Sequence, residues 1–277
     1  MSTDFTFRTG DIECTVVRYG ESAGPPAYLF PDVPAGERDA ACARYLIDGT
    51  NLGLVYSSLL LRRGEQVVVV DAGPGGSHDA LGDALGATGV EPDSVQHVIL
   101  SHAHPDHVGG LIAGRDKPQP RFSRADHHLL TDEWNHWMES DGGGPMTPQT
   151  RAFLEPIGAA GLVEVHDDEV EILPGVVLVP TPGHTPGHLS VIVRDRGETL
   201  VYLGDVVTHS VMVEHPGWYS VFDTIPNTAA STRRRLIQTA EETGAVVVAS
   251  HIPTPGRIVP DPESGHAFAS LELHNHS

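Results

Sequence analysis

The chain has 277 residues, enough for a substantial buried core, and an ordinary globular balance of 39% hydrophobic and 19% charged residues. Its formal net charge of −20, from 17 basic against 37 acidic residues, argues against a nucleic-acid substrate, because phosphates must be met by basic side chains and the densest basic tract is Arg233-Arg234-Arg235. No apolar run approaches the roughly 18 residues of a membrane span, and two cysteines, Cys14 and Cys42, are too few for a disulfide framework.

In chain order, alternation predicts a strand over 12–19. Residues 21–48 carry Gly24, Pro25, Pro26, Pro31, Pro34 and Gly36 and read mainly as loop, with a short helix over 38–45. A strand follows at 51–62, then a continuous apolar run at 66–71 ending in Asp71-Ala72-Gly73, the pattern of a buried strand feeding a turn. A helix is expected over 78–87 and a short buried strand over 97–101. Next come a short strand at 121–122, a helix over 125–139, a break at Gly142-Gly143-Gly144-Pro145 and a helix over 147–157. Strands are expected at 163–165, 169–173, 176–180, 189–193 and 199–203, then an amphipathic helix over 228–243 and a last buried strand at 245–250. Helices segregate around two groups of strands, so a layered α/β sandwich is expected. We read 1–277 as one domain, with 21–48 as a loop-rich insertion and 258–277 as a C-terminal tail. Both cysteines read as buried small hydrophobes. Residues 1–5 form neither a basic leader nor an apolar stretch, and a cytoplasmic location is the expectation.

The chemistry concentrates in His102-Ala103-His104-Pro105-Asp106-His107, directly after a buried strand. Side chains at i and i+2 of an extended segment share a face, so His102 and His104 can grip one ion together. Pro105 turns the chain, and Asp106 and His107 can point to a second ion. Imidazole and carboxylate suit Zn²⁺ and similar borderline metals. A polar loop with chance histidines is the bland alternative, and four ligand-type residues in so short a span weigh against it. Further candidates recur where strands end: His184 and His188 in Thr181-Pro182-Gly183-His184-Thr185-Pro186-Gly187-His188, Asp205 in Gly204-Asp205, and His251 in Ser250-His251.

This order of motifs, HxHxDH, TPGHTPGH, GD and SH, preceded by Val70-Asp71-Ala72-Gly73, resembles the metallo-β-lactamase superfamily. The resemblance implies a four-layer αββα sandwich with two divalent metal ions at one edge, Zn first and Mn or Fe as alternatives. It implies that His102, His104 and His184 bind one ion and Asp106, His107 and His251 the other, with Asp205 bridging both. Asp71 would orient the loop or a ligand His, and His188 would be structural. The expected activity is metal-dependent hydrolysis of a small ester, lactone or phosphotriester by a hydroxide shared between the ions. Asp106 would also shuttle the proton as the catalytic residue.

His215-Pro216-Gly217-Trp218, Phe222-Asp223 and Thr232-Arg233-Arg234-Arg235, with Ala125-Asp126-His127-His128 and Trp134 upstream, resemble the methyl parathion hydrolase-like branch. The acyl-homoserine lactonase-like branch carries a Tyr shortly after the bridging Asp; here none precedes Tyr219. Trp134, Trp137, Trp218 and Phe222 are the expected substrate-binding walls. His127, His128, His136 and His209 read as exposed or locally satisfied rather than catalytic. Two alternatives stay open: a mononuclear iron oxidoreductase of the persulfide dioxygenase type, and a glyoxalase II-like thioesterase. A small-molecule substrate is expected, with no nucleic-acid or membrane partner; a homodimer is left open.

Overall fold

The computed structural model describes residues 4–75, 79–114, 118–140 and 143–271. The first residue of the expected helix 78–87, Gly142 of the expected break and the last part of the expected tail, 272–277, lie outside them. The strands are β1 (Phe5–Thr9), β2 (Ile12–Gly24), β3 (Leu52–Arg63), β4 (Gln66–Val70), β5 (His97–Ile99), a small ribbon of β6 (Ile112–Ala113) and β7 (Gln119–Pro120), β8 (Asp126–Leu130) and β9 (Val163–His166). Then follow β10 (Val170–Leu173), β11 (Val176–Pro180), β12 (Leu189–Asp195), β13 (Glu198–Tyr202), β14 (Val246–Val248), β15 (Gly256–Asp261) and β16 (Gly265–Ser270). The helices are α1 (Pro26–Leu29), α2 (Ala35–Cys42), α3 (Ala80–Ala87), α4 (Pro105–Val108), α5 (Thr131–Met138), α6 (Thr147–Ala159), α7 (Val211–Glu214) and α8 (Pro226–Thr243).

Two seven-stranded sheets result, in the orders β1-β2-β3-β4-β5-β8-β9 and β10 through β16. The first is antiparallel up to β4 and parallel from β4 to β9. The second is antiparallel except where β13 pairs β14. The continuous apolar runs of β3 and β4 have a simple cause: both faces of the sheet are covered. Leu59, Leu61, Val68 and Val70 enter the core between the sheets, where they meet Leu178, Val191, Leu200 and Val248. Leu60, Val67 and Val69 point the other way, onto Leu81 and Leu85 of α3 and Leu154 and Ile157 of α6. On the outer face of the second sheet, Val179, Val201 and Val247 pack under Leu236, Ile237 and Ala240 of α8. The expected four-layer αββα sandwich is therefore the observed one. No helix among the described residues is long and apolar enough to cross a membrane.

Several expectations need correction. Residues 126–130, expected as the start of a helix, are β8, a strand flanked on both sides in a parallel sheet, and α5 begins only at Thr131. The expected tail is, through Ser270, a β-hairpin that closes the second sheet, with Ile258 facing Phe268 in register. The insertion 21–48 is less irregular than its prolines suggested: β2 runs to Gly24, and α1 and α2 follow. Cys14 and Cys42 are buried, in different cores.

Two buried imidazoles set an acid limit on this fold. Burial pushes both His127 and His209 down to about 4, against about 6.5 in the unfolded chain. Between those values the unfolded chain takes up protons that the folded chain refuses. Stability is therefore present above pH 6.5 and lost as pH falls toward 4, by about 3 kcal/mol for each ring. We expect the urea midpoint to fall across this window, and His127→Gln to flatten the decline. A midpoint indifferent to pH from 6.5 to 4 would contradict this account.

Candidate metal centre

The site sits where chain segments leave one rim of the sandwich. Asp71 follows β4, His102 follows β5, His184 lies between β11 and β12, Asp205 follows β13 and His251 follows β14. Six of the seven expected ligands are buried, and Asp106 has a side chain 34% exposed.

Two trios of ligand atoms form. In the first, His104 Nδ1 lies 3.0 Å from both His102 Nε2 and His184 Nε2. In the second, His251 Nε2 and His107 Nε2 lie 3.6 and 3.8 Å from Asp106 Oδ2. Asp205 spans them. Its Oδ2 is 3.4 Å from His184 Nε2 and 3.2 Å from His251 Nε2, and its Oδ1 is 3.4 Å from His107 Nε2. The donor atoms within each trio, and those of His102, His107 and Asp205, all lie within 4.8 Å of one another.

Three of the rings are aimed by their other nitrogen, as metal-binding imidazoles are. His107 Nδ1 meets Asp71 Oδ2 at 2.8 Å, His184 Nδ1 meets Asp223 Oδ1 at 3.0 Å, and His251 Nδ1 donates to the Val55 carbonyl at 2.8 Å. Asp71, at φ 60°, is a hub: it also accepts from the Ser101 amide, the Ser101 hydroxyl and the Tyr202 hydroxyl, each at 2.7 Å. His188 stands behind the cage, with Nδ1 2.8 Å from Thr181 Oγ1 and Nε2 accepting the Asp205 amide at 3.0 Å. A Cβ on Gly204 (φ 54°) would lie 2.6 Å from that Nε2, so glycine there lets the ring support Asp205.

The donor set fits divalent cations. His107 Nε2 and Asp205 Oδ1 face each other at 3.4 Å in a buried site, and neither makes a hydrogen bond. Burial, together with the neighbouring imidazoles, pushes His102 and His104 well below the usual histidine range, so both are neutral donors. Burial works against ionisation of Asp205, but His251 and His107 overcome it and hold its carboxyl well below the usual range. Burial likewise opposes a proton on His107, and Asp205, Asp71 and Asp106 outweigh it, drawing its pKa well up. This surplus of carboxylate is what dications neutralise.

Glu133, which sequence reasoning missed, ties the first two ligand loops together. Its Oε1 accepts from the Ala103 amide at 2.8 Å and from Trp137 Nε1 at 2.7 Å. Its Oε2 accepts from Thr185 Oγ1 at 2.6 Å and the Gly187 amide at 3.2 Å. Asp223 and Arg233 were visible only as parts of a looser motif. The buried Arg233 holds Asp223 at 3.2 Å and reaches the carbonyls of Val206 and Trp218, both at 2.6 Å.

Above the cage opens a cleft of about 400 Å³, with His104, Asp106, Asp205 and His251 on its floor. Its walls include Tyr28, Leu29, Leu54, Tyr56, Met146 and Phe222. Phe222 lines this cleft, and the three tryptophans do not. Trp137 is fully buried and packs edge-on against His104, with ring centres 5.5 Å apart. Trp134 packs on the helical side of the first sheet, and Trp218 is buried against Phe30 and stacked on His215. Large indoles are drawn into cores by their apolar area. Much of the wall comes instead from the end of β2 and from α1, inside the segment expected to be a mere insertion.

The sequence profile of the Metallo-beta-lactamase superfamily matches residues 52–251. The chain is 27% identical over 215 residues to Metallo-beta-lactamase domain-containing protein 1 of Xenopus laevis, covering 76% of each. It is 30% identical over 178 residues to the N-acyl homoserine lactonase AttM of Azorhizobium caulinodans, covering 60% of this chain and 62% of that protein. Two solved structures share the fold over 99% of both chains with a TM-score of 0.88. They are hydrolase AbOPH in the beta lactamase superfamily, 22% identical, and AidC, a dizinc quorum-quenching lactonase, 21% identical. With the profile spanning every segment that feeds the cage, the chain belongs to the metallo-beta-lactamase superfamily.

Proposed function

We propose that this hydrolase uses two divalent cations to cleave small neutral or singly charged esters, with acyl lactones as the first class. His102, His104 and His184 hold one ion and Asp106, His107 and His251 the other, with Asp205 shared. The observation that carries this reading is Asp205, whose two oxygens face both trios beneath a largely apolar cleft. When bound, the ions polarise the oxygen under attack and acidify water at the site; Zn²⁺ suits the donor set, with Mn²⁺ or Fe as alternatives. The chain's own residues do the rest. Asp106, the partly exposed acid on the cleft floor, takes the proton of the incoming nucleophile and returns it to the leaving oxygen. Tyr56 packs edge-on against His251, with ring centres 5.6 Å apart, and fixes that ring. Tyr28, Leu29, Leu54 and Phe222 take the acyl or aryl part of the substrate and exclude water.

The lactonase named among the relatives supports the lactone class, and the net charge of −20 disfavours polyanions at long range. No tyrosine follows Asp205 before Tyr219, yet Tyr28 and Tyr56 reach the cleft from the N-terminal part of the chain. The test is a panel of acyl lactones of increasing chain length, an aryl ester, a phosphotriester, a glutathione thioester and single-stranded RNA. We expect lactones or aryl esters to lead. Phe222→Ala should raise KM for long acyl lactones by about 10-fold with kcat nearly unchanged, because it removes uniform apolar binding. Preferred turnover of the thioester would move the enzyme to the thioesterase reading, and one iron per chain would favour the oxygenase.

A further inference from the structure

Outside the cage, one cluster of ligand-type side chains stands out among the described residues. His97, Asp126 and His128 bring a donor atom each within 4.8 Å of one another. His97 and Asp126 open β5 and β8, whereas the cage follows the C-terminal ends of its strands. The sheet dictates the grouping. His97 and Asp126 are opposite each other in the parallel register, and Asp126 and His128, two apart on one strand, share a face.

The imidazoles form a row across three neighbouring strands. His97 Nδ1 lies 3.0 Å from His128 Nε2, and His128 Nδ1 lies 3.1 Å from His166 Nε2 on β9. The rings of His128 and His166 are stacked, 5.3 Å between centres with 17° between planes. His128 is buried, while His97 and His166 are partly open and Asp126 is exposed. The row is therefore closed at its middle, His128, and partly open at both ends, His166 lying on β9, the edge strand of the sheet.

We propose that His97, His128 and Asp126 form a second, peripheral site for one Zn²⁺-like divalent cation, separate from the catalytic cage. An ion about 2.0–2.1 Å from two imidazole nitrogens in tetrahedral geometry holds them about 3.3 Å apart. His97 Nδ1 and His128 Nε2 are already close to that spacing. The ion needs both facing lone pairs, so the neutral ring that carries the shared proton exchanges it through solvent for one on its other nitrogen, no net proton is released, and Asp126 supplies the anionic ligand. His128 then donates its remaining Nδ1–H to His166 Nε2, the outer hydrogen bond that fixes a metal-bound imidazole. The bound ion staples β5 to β8, and His166 carries the link to β9.

The test uses enzyme whose cage is already loaded, titrated calorimetrically with Zn²⁺ alone. One further ion per chain is expected in the wild type. His97→Gln and Asp126→Asn should each weaken it by about 10-fold or more while leaving hydrolysis unchanged, since neither residue reaches the cleft. Zn²⁺ should also raise the Tm of the loaded wild type and leave that of His97→Gln unmoved. Both variants alter accessible positions and spare the buried His128, so folding is preserved. No ion beyond the cage, or an extra ion bound equally by wild type and both variants, overturns the proposal and leaves a hydrogen-bonded histidine row only. Loss of cage metal alone would count against the catalytic reading and not against this one.

Discussion

Asp205→Ala is expected to lower kcat/KM by about 10³-fold or more, some 4 kcal/mol of transition-state stabilisation, and to reduce the metal content of the purified enzyme. Asp205 is the residue whose oxygens face both trios. Removing it takes away a negative charge where two dications would sit close together, and it deprives His107 Nε2 of the group it faces. His209→Ala on the same loop is the control. His209 is buried and its ring packs edge-on against Tyr45, with its Nδ1 accepting the Val211 amide at 3.2 Å. Its loss should cost stability and leave turnover per folded molecule within a few-fold. Metal analysis and steady-state kinetics on both variants decide the matter, and equal losses would refute the role given to Asp205.

Asp223→Ala should act on metal affinity and on stability, and the two effects should separate. The carboxylate aims His184 through Nδ1 and neutralises the fully buried Arg233. Losing the aim should weaken metal binding by about 10–100-fold. Leaving a buried guanidinium without its counter-charge should destabilise the fold by about 3–5 kcal/mol. The double variant Asp223→Ala/Arg233→Met removes the stranded charge while keeping apolar volume, so it should recover much of the stability and none of the affinity. Chelator competition reads the first quantity and urea unfolding of the metal-free protein the second. Recovery of both together would mean that Asp223 serves only the fold.

The cage was legible in the sequence because each ligand follows a buried strand, and a strand end turns a local pattern into a spatial position. Asp71 was legible for the same reason. Glu133 was not, since its role depends on two loops that meet only in three dimensions, and beside Asp132 in the first turn of α5 it looks like part of an ordinary acidic helix start. β8 was hidden by Asp126-His127-His128, which carries little hydropathy although both histidines are buried. The closing hairpin was not legible as strands: Pro260 and Pro262 interrupt its pattern, yet Pro260 pairs with His266 near the hairpin turn, where proline is tolerated. The tryptophans misled because aromatic character marks cores as readily as pockets.

The division of labour between cage and cleft has a consequence for how such a protein can change. The proposed metal donors hang on strand ends from residue 102 to 251, with Glu133 fastening two of their loops into a single part. Much of the cleft wall comes from elsewhere, from Ser22 to Leu29 and from Leu54 and Tyr56. Substitutions from Ser22 to Leu29 alter the shape offered to a substrate without touching the residues that aim the ligands. Selection, or a designer, can therefore retune the leaving group or acyl chain accepted while the reactive machinery stays unaltered, so that new specificities lie few mutations apart.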